Sequence, residues 1–428
     1  MTHKRIILQQ GVELLLICDK KFKTDIVSAS FISGEGRDAA VCSALLSGVL
    51  SRSAEAYPSL YELNRRLDSL YDAHLSTDTV RRGFTHIPTF SISTLQNRFS
   101  LDGTDIIGGA LDVLYNVIFE PEIRGGAFGA QTLKTEKQQL CDAINGIRNS
   151  RGAYAVRRCI GAMMADQPLY APRLGNISDA ESVTEESLYA FYNDMIASAP
   201  VRLTALTGGD EEKILEFAYR AAERLGERQN RGVKNAKYIK PKKKPAKISE
   251  TVPVRQDVLC VGCSLDADAA DRDIAARAMF YEVFFQNPTC RLFERVREKL
   301  GLCYYCSAVP FSDLKKLVIY AGIDGKNRSR AESEILKQLE LIKEGVEREE
   351  LERCRLAVKS DLVAVTDSPS RIVSWFSSRA LAGADPGTDP AAFSRVIDTV
   401  TEEDVLSVAS RIAADTVYTM KGAQCDEP

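Results

Sequence analysis

Val183-Thr184-Glu185-Glu186-Ser187-Leu188 and Val400-Thr401-Glu402-Glu403-Asp404-Val405 carry the same signal twice. In each, a threonine stands at a helix N-cap, and acids fill the first turn against the positive end of the helix dipole. A strand-like run ending in glycine follows both: Val201-Arg202-Leu203-Thr204-Ala205-Leu206-Thr207-Gly208, and Thr416-Val417-Tyr418-Thr419-Met420-Lys421-Gly422. The two signatures lie 217 residues apart in a chain of 428. Duplication of one domain explains that spacing, and a chain of this length suits two domains of about 200 residues each.

The elements between the signatures repeat in the same order. The first half opens with strand-like runs at 12–18 and 26–32, then helices at about 38–51 and 60–71. Leu60, Leu63, Leu67 and Leu70 stand at helical spacing in the second of these. A strand pair including 89–93 and helices at about 105–118 and 130–145 come next. The second half runs strand 258–264, helices 273–285 and 291–299, strands 304–309 and 316–323, and helix 329–345. Grouped strands alternating with helix pairs predict an α+β fold. Each of two homologous domains is a mostly antiparallel sheet with helices packed on one face. The boundary is the stretch from Arg228 to Gln256, with Lys240, Lys242, Lys243, Lys244 and Lys247 among Pro241, Pro245 and Pro253. Read as a nucleic-acid patch, the run lacks the aromatic ladder such binding uses. Read as a solvated linker, its prolines and lysines are expected. The domains are therefore 1–228, a basic linker at 229–256, and 257–428.

Composition narrows the function. The net charge of −3 attracts neither nucleic acid nor an anionic membrane, and 45% hydrophobic residues suit a globular protein. No apolar run approaches membrane-spanning length, and the N-terminal one is too short for a signal-peptide core. Eleven cysteines, an odd number, fit a reducing cytoplasm. Cys260-Val261-Gly262-Cys263 and Cys303-Tyr304-Tyr305-Cys306 could in principle hold a structural zinc. Both lie in strand-like runs, where positions i and i+3 face opposite ways, so buried free thiols are the better reading. Neither pair opens a helix after a strand, as a thioredoxin-like dithiol would. Gly125-Gly126-Ala127-Phe128-Gly129 has no dinucleotide-binding spacing. Gly208-Gly209-Asp210 reads as a turn before a helix. Glu136 and Glu298 read as ion-pairing or capping carboxylates.

The segment Cys290-Arg291-Leu292-Phe293-Glu294-Arg295-Val296-Arg297-Glu298-Lys299-Leu300-Gly301-Leu302-Cys303-Tyr304-Tyr305 resembles the RLF-x-x-VRE-x-x-GL-x-Y segment of the pitrilysin/insulinase metallopeptidases. The order of elements over nearly the whole chain agrees with it. The resemblance implies a duplicated processing-peptidase-like domain forming half of a clam shell around a peptide chamber. It assigns to Arg297 and Tyr304 the roles of positioning substrate and stabilising the tetrahedral intermediate. A guanidinium and a phenol can both donate to a carbonyl oxygen as it gains charge. Without the resemblance, the same residues would read as an Arg–Glu pair and a core tyrosine.

One departure decides the function. Active members carry HxxEH on the first helix, where two histidines at i and i+4 bind zinc and the glutamate polarises a water. Here Ser43-Ala44-Leu45-Leu46-Ser47-Gly48-Val49-Leu50 places Ala44 and Gly48 at the histidine positions and Ser47 at the glutamate. The chain has only three histidines, His3, His74 and His86, and no two are four apart. Glu136-Lys137 resembles the family's later EK segment, which puts the third zinc ligand at Ala143. Gly48 costs its helix about 1 kcal/mol relative to alanine, which close packing there and a relaxed constraint would explain equally well.

The expected protein therefore holds no metal or cofactor of its own. Some enzymes of the resembled family pair a zinc-bearing chain with a similar chain that has lost zinc, and this sequence is similar to the second kind. The implied role is a non-catalytic subunit. It would bind an extended peptide or small protein and lend Arg297 and Tyr304 to a partner that carries HxxEH and the zinc. Lys20-Lys21-Phe22-Lys23-Thr24 and Glu62-Leu63-Asn64-Arg65-Arg66-Leu67-Asp68-Ser69-Leu70-Tyr71 are similar to bacterial elongation factor P aminopentanol-modification-associated chains. That resemblance implies the alternative of a catalytically silent scaffold.

Overall fold

A computed structural model describes residues 1–253 and 256–423. Val254 and Arg255 of the expected linker and residues 424–428 of the expected second domain lie outside the described residues. The chain forms two compact units, and neither is one continuous stretch. The first comprises residues 1–144, 169–234 and 365–389; the second comprises 145–168, 235–364 and 390–428.

The first unit holds strands β1 (Thr2–Gln9), β2 (Val12–Cys18), β3 (Thr24–Phe31), β4 (His74–Arg82), β5 (Thr85–Leu95) and β6 (Val201–Thr207). They are ordered β1-β2-β6-β3-β5-β4. The second holds β7 (Ala246–Val252), β8 (Asp257–Leu265), β9 (Tyr305–Phe311), β10 (Lys316–Ile323) and β11 (Ile412–Gly422), ordered β7-β11-β8-β10-β9. The duplication is visible in these orders: β2-β6-β3-β5-β4 and β7-β11-β8-β10-β9 are the same path. In each, the last strand of the repeat enters the sheet beside the first and runs parallel to it. The other pairs are antiparallel. Both expected N-caps are made, with Thr184 accepting from the Ser187 backbone and Thr401 from that of Asp404.

This symmetry corrects the reading of 229–256 as linker throughout, because residues 246–252 are β7. The repeat needs a first strand in each sheet. In the first unit that strand, β2, is apolar at Leu14-Leu15-Leu16-Ile17 because β1 covers its outer side and both its faces are packed. In the second unit no strand among the described residues flanks β7 on its outer side. As an edge strand it carries Lys247, Ser249 and Glu250, the polar composition that discourages edge-to-edge pairing. Of the lysines that suggested a linker, Lys247 lies in this edge strand, and Lys240, Lys242, Lys243 and Lys244 precede it.

The first sheet carries the helices Gly36–Leu50 and Ile106–Phe119 on one face, around Leu14, Leu16, Phe31, Leu45, Leu46, Phe90 and Leu114. Its opposite face is also covered. There Leu15, Ile17 and Leu206 pack with Ile372, Val373 and Phe376 of the helix Pro369–Ala382. In the second unit the helix Arg151–Met163 lies on β8, β10 and β11. Glu250 of β7 holds it there, accepting from Tyr154 Oη (2.7 Å), Arg158 Nε (2.8 Å) and Tyr418 Oη (2.8 Å). Each half of the sequence thus contributes one helix to the other half's sheet. No helix among the described residues is long and apolar enough to cross a membrane.

The Gly208-Gly209-Asp210 turn is built on a buried acid. Asp25 is fully buried, and its Oδ1 accepts from Gly208 N (3.1 Å) and Gln96 Nε2 (3.0 Å). Burial, reinforced by the nearby Asp210 carboxylate, pushes the Asp25 carboxyl up to about 6. Its folded pKa therefore lies above the usual aspartate value. The associated cost is absent below about pH 4, grows as pH rises, and is complete above about pH 6. Asp25→Asn keeps an oxygen for both donors and offers Asp210 an N–H. It should gain about 2 kcal/mol on wild type between pH 4.5 and pH 7.5, read by urea denaturation at both. An equal difference at the two pH values would contradict this.

Candidate functional site

The helix Gly36–Leu50 begins the site. Its buried residues include Ser43, Leu45, Leu46, Ser47 and Val49, whereas the two expected histidine positions, Ala44 and Gly48, are half-buried. Ala44 is half-buried against the core. Ser47 Oγ is within hydrogen-bond distance of the Ser43 carbonyl (2.9 Å) and of the Asp78 carbonyl on β4 (3.1 Å). Its single proton ties the helix to the sheet's outer strand, and no carboxylate occupies that position.

Gly48 is where the structure adds most. A Cβ placed there would stand 2.1 Å from Glu136 Oε2 and 2.8 Å from Glu136 Cδ. Of the two explanations for Gly48, close packing holds, and the Glu136 carboxylate supplies it. Glu136 lies on the buried face of the helix Ala130–Gly146, is only 8% exposed, and pairs with Arg52 one turn beyond Gly48. Ala143, expected to mark the third ligand position, is exposed on the same helix. Glu136 is the residue of that helix that reaches Gly48. Seven residues return to nearly the same helix face but move about 10 Å along the axis. Only one of the two positions can meet the crossing helix. The Arg52–Glu136 pair thus stands against Gly48, one of the two expected histidine positions. Arg52 also lines an open cavity of about 790 Å³, with Ser59, Arg124, Phe128 and Glu185. Among the described residues no group of three or more His, Cys, Asp or Glu could hold a metal ion.

A second candidate segment lies in the second unit. Phe293–Lys299 is π-helical, a rare conformation that concentrates at functional positions. Arg297 projects from it, 44% exposed. Its guanidinium lies 4.6 Å over the Phe293 ring and its Nε lies 3.7 Å from Glu298. Gly301 takes a positive φ of 58° and turns the chain toward β9. Tyr304 follows, 57% exposed, with its backbone N–H on the Gly322 carbonyl (2.8 Å) and its Oη donating to Asp324 (2.8 Å). The Asp324 carboxylate holds the phenol above its usual pKa, so at neutral pH Tyr304 remains a donor. The alternative of a core tyrosine does not describe this residue. Glu136 and Glu298 both make ion pairs, with Arg52 and Arg297.

The cysteines divide. All ten described ones are free. Cys260 and Cys263 lie within β8, fully buried, as expected of packed thiols. Cys303 and Cys306 are also buried and free, but only Cys306 lies in a strand. The strand begins only at Tyr305, so Cys303 is still in the turn.

A family model described as "Peptidase M16 inactive domain" matches residues 182–358, a span that includes the Arg297–Tyr304 segment. Over that span the chain is similar to the inactive domain of the M16 peptidases. It is 25% identical, over 97% of its length and 96% of the relative's, to a protein described as "Probable inactive metalloprotease YmfF" from Bacillus subtilis. Among solved structures it is similar to a conserved protein from Enterococcus faecalis, with a TM-score of 0.90, 22% identity and complete coverage of both chains. It is also similar to a Pseudomonas fluorescens peptidase M16 inactive domain, with a TM-score of 0.79, 16% identity and complete coverage of both chains. At these identities the structural likenesses establish the fold.

Proposed function

We propose that this chain is the non-catalytic subunit of a two-chain zinc metallopeptidase. It binds extended peptide and supplies Arg297 and Tyr304 to the active site of a homologous partner that carries HxxEH and the zinc. The observation that carries the reading is an asymmetry. The helix that would carry the metal ligands has none and packs Gly48 against the Arg52–Glu136 pair, whereas Arg297 and Tyr304 of the second unit are exposed. A site losing all function would have no reason to keep an exposed arginine on the π-helical turn and an exposed, protonated phenol just after it. Peptide binding is supported by β4, an outer strand to which an extended chain can add. Residues His74, Ser76, Val80 and Arg82 of β4 line a cleft of about 400 Å³ with hydroxyls from Ser28, Ser91, Ser374 and Ser377. These groups would meet alternate side chains of such a peptide.

The test is titration. The HxxEH-bearing chain from the same cells is assayed on a quenched peptide, alone and with increasing amounts of this chain. Turnover should rise and saturate at one equivalent. Full turnover by the partner alone would remove the catalytic contribution and favour the scaffold associated with elongation factor P modification.

A further inference from the structure

We propose that Asp324 is a latch on Tyr304: it holds the phenol proton in the resting chain and yields it when a stronger oxygen acceptor forms on the bound peptide. The proposal rests on the reading that Tyr304 serves a partner's active site. Tyr304 Oη donates to Asp324 Oδ1 at 2.8 Å. A phenol has one proton to donate. While Asp324 accepts it, Tyr304 has only lone pairs to offer a peptide carbonyl. The donor that the reading requires is therefore already engaged, and the reaction has to release it.

The sheet builds this contact. The Tyr304 N–H bonds the Gly322 carbonyl (2.8 Å) and extends the β9–β10 ladder, in which Tyr305 pairs with Gly322. Asp324 follows directly on the end of β10, so paired backbones bring carboxylate and phenol together. Asp324 also stands at the N-cap of the 3-10 turn Gly325–Asn327. An aspartate in that place ordinarily accepts from the backbone N–H groups of its own turn. Asp324 makes no such bond, and its side chain goes to Tyr304 instead. Among the described residues it has no ion pair, and the neighbouring Arg328 is taken by Asp257. The same carboxylate holds the Tyr304 phenol above its usual pKa. As a peptide carbonyl becomes a tetrahedral oxyanion, its oxygen becomes a stronger acceptor than a carboxylate, and the phenol O–H turns to it. No bond to the proton breaks; only its acceptor changes. Asp324 acts through Tyr304 and is a positioning residue.

The latch is tested first in the full-length chain alone. Tyrosine is labelled with carbon-13 at Cζ, and Tyr304→Phe assigns the Tyr304 resonance. Asp324→Asn should move the Tyr304 titration to lower pH. Turnover of a quenched peptide is then measured in the two-chain complex. Asn keeps an oxygen acceptor but removes the charge that strengthens the bond, so kcat should rise about 5-fold with KM unchanged. In a Tyr304→Phe background the same substitution should leave kcat as it was. An unmoved titration, a fall in kcat, or an equal gain in both backgrounds would overturn the latch. Failure of the underlying reading shows separately: Tyr304→Phe alone would leave turnover unchanged although the titration still reports the Asp324 bond, and the proposal would fall with it.

Discussion

Arg297→Ala should lower peptide turnover by the two-chain complex about 100-fold, the scale of removing one donor from a developing oxyanion. The loss should fall on kcat with little change in KM, because the donor acts where charge develops rather than where the ground-state peptide binds. The complex should stay assembled. Arg297 is half exposed, and its contacts are one aromatic face and one solvated carboxylate. A cation–π contact at an exposed site contributes only about 0.5–1 kcal/mol. That is too little to unfold the unit, so a turnover loss of two orders cannot be attributed to stability. Arg297→Lys should recover little, since a point charge does not reproduce the planar fork. Unchanged kcat in an intact complex would remove Arg297 from the reaction.

Gly48→Ala should destabilise the protein by about 2 kcal/mol, and the same substitution in an Glu136→Ala background should stabilise it by about 1 kcal/mol. Two effects compete. Alanine improves on glycine inside a helix by about 1 kcal/mol. Its Cβ, however, would stand 2.1 Å from Glu136 Oε2, so the carboxylate must leave. Glu136 is buried and bound to Arg52, and breaking such a pair costs about 3 kcal/mol. The second term wins while Glu136 is present and vanishes when it is absent. Urea denaturation of the four proteins in this cycle measures the coupling directly. The same cost for Gly48→Ala in both backgrounds would mean that Glu136 does not fill this space. The point bears on function, because a histidine at position 48 would meet the same obstacle.

The sequence carried the parts of this account that depend on local pattern. Threonine caps at 184 and 401, the helix of Gly48 and the Arg297–Tyr304 segment can all be read residue by residue. What was not legible depends on which surfaces meet. No local signal says that Arg151–Met163 covers the second sheet or that Pro369–Ala382 covers the first, since an amphipathic stripe does not name its partner. Glu136 and Ala143 share a helix face in sequence, and only the crossing with Gly36–Leu50 distinguishes them. Strand β7 was hidden because an edge strand and a solvated linker select the same polar residues. The π-helical turn under Arg297 likewise has no periodicity distinct from that of an α-helix at this length.

The most direct test of the central claim is native mass spectrometry of the protein purified from its own cells, followed by gas-phase dissociation of whatever complex is found. The account predicts a one-to-one assembly with an HxxEH-bearing chain of similar size, holding one zinc that leaves with the partner. A zinc ion retained by this chain after dissociation would contradict it.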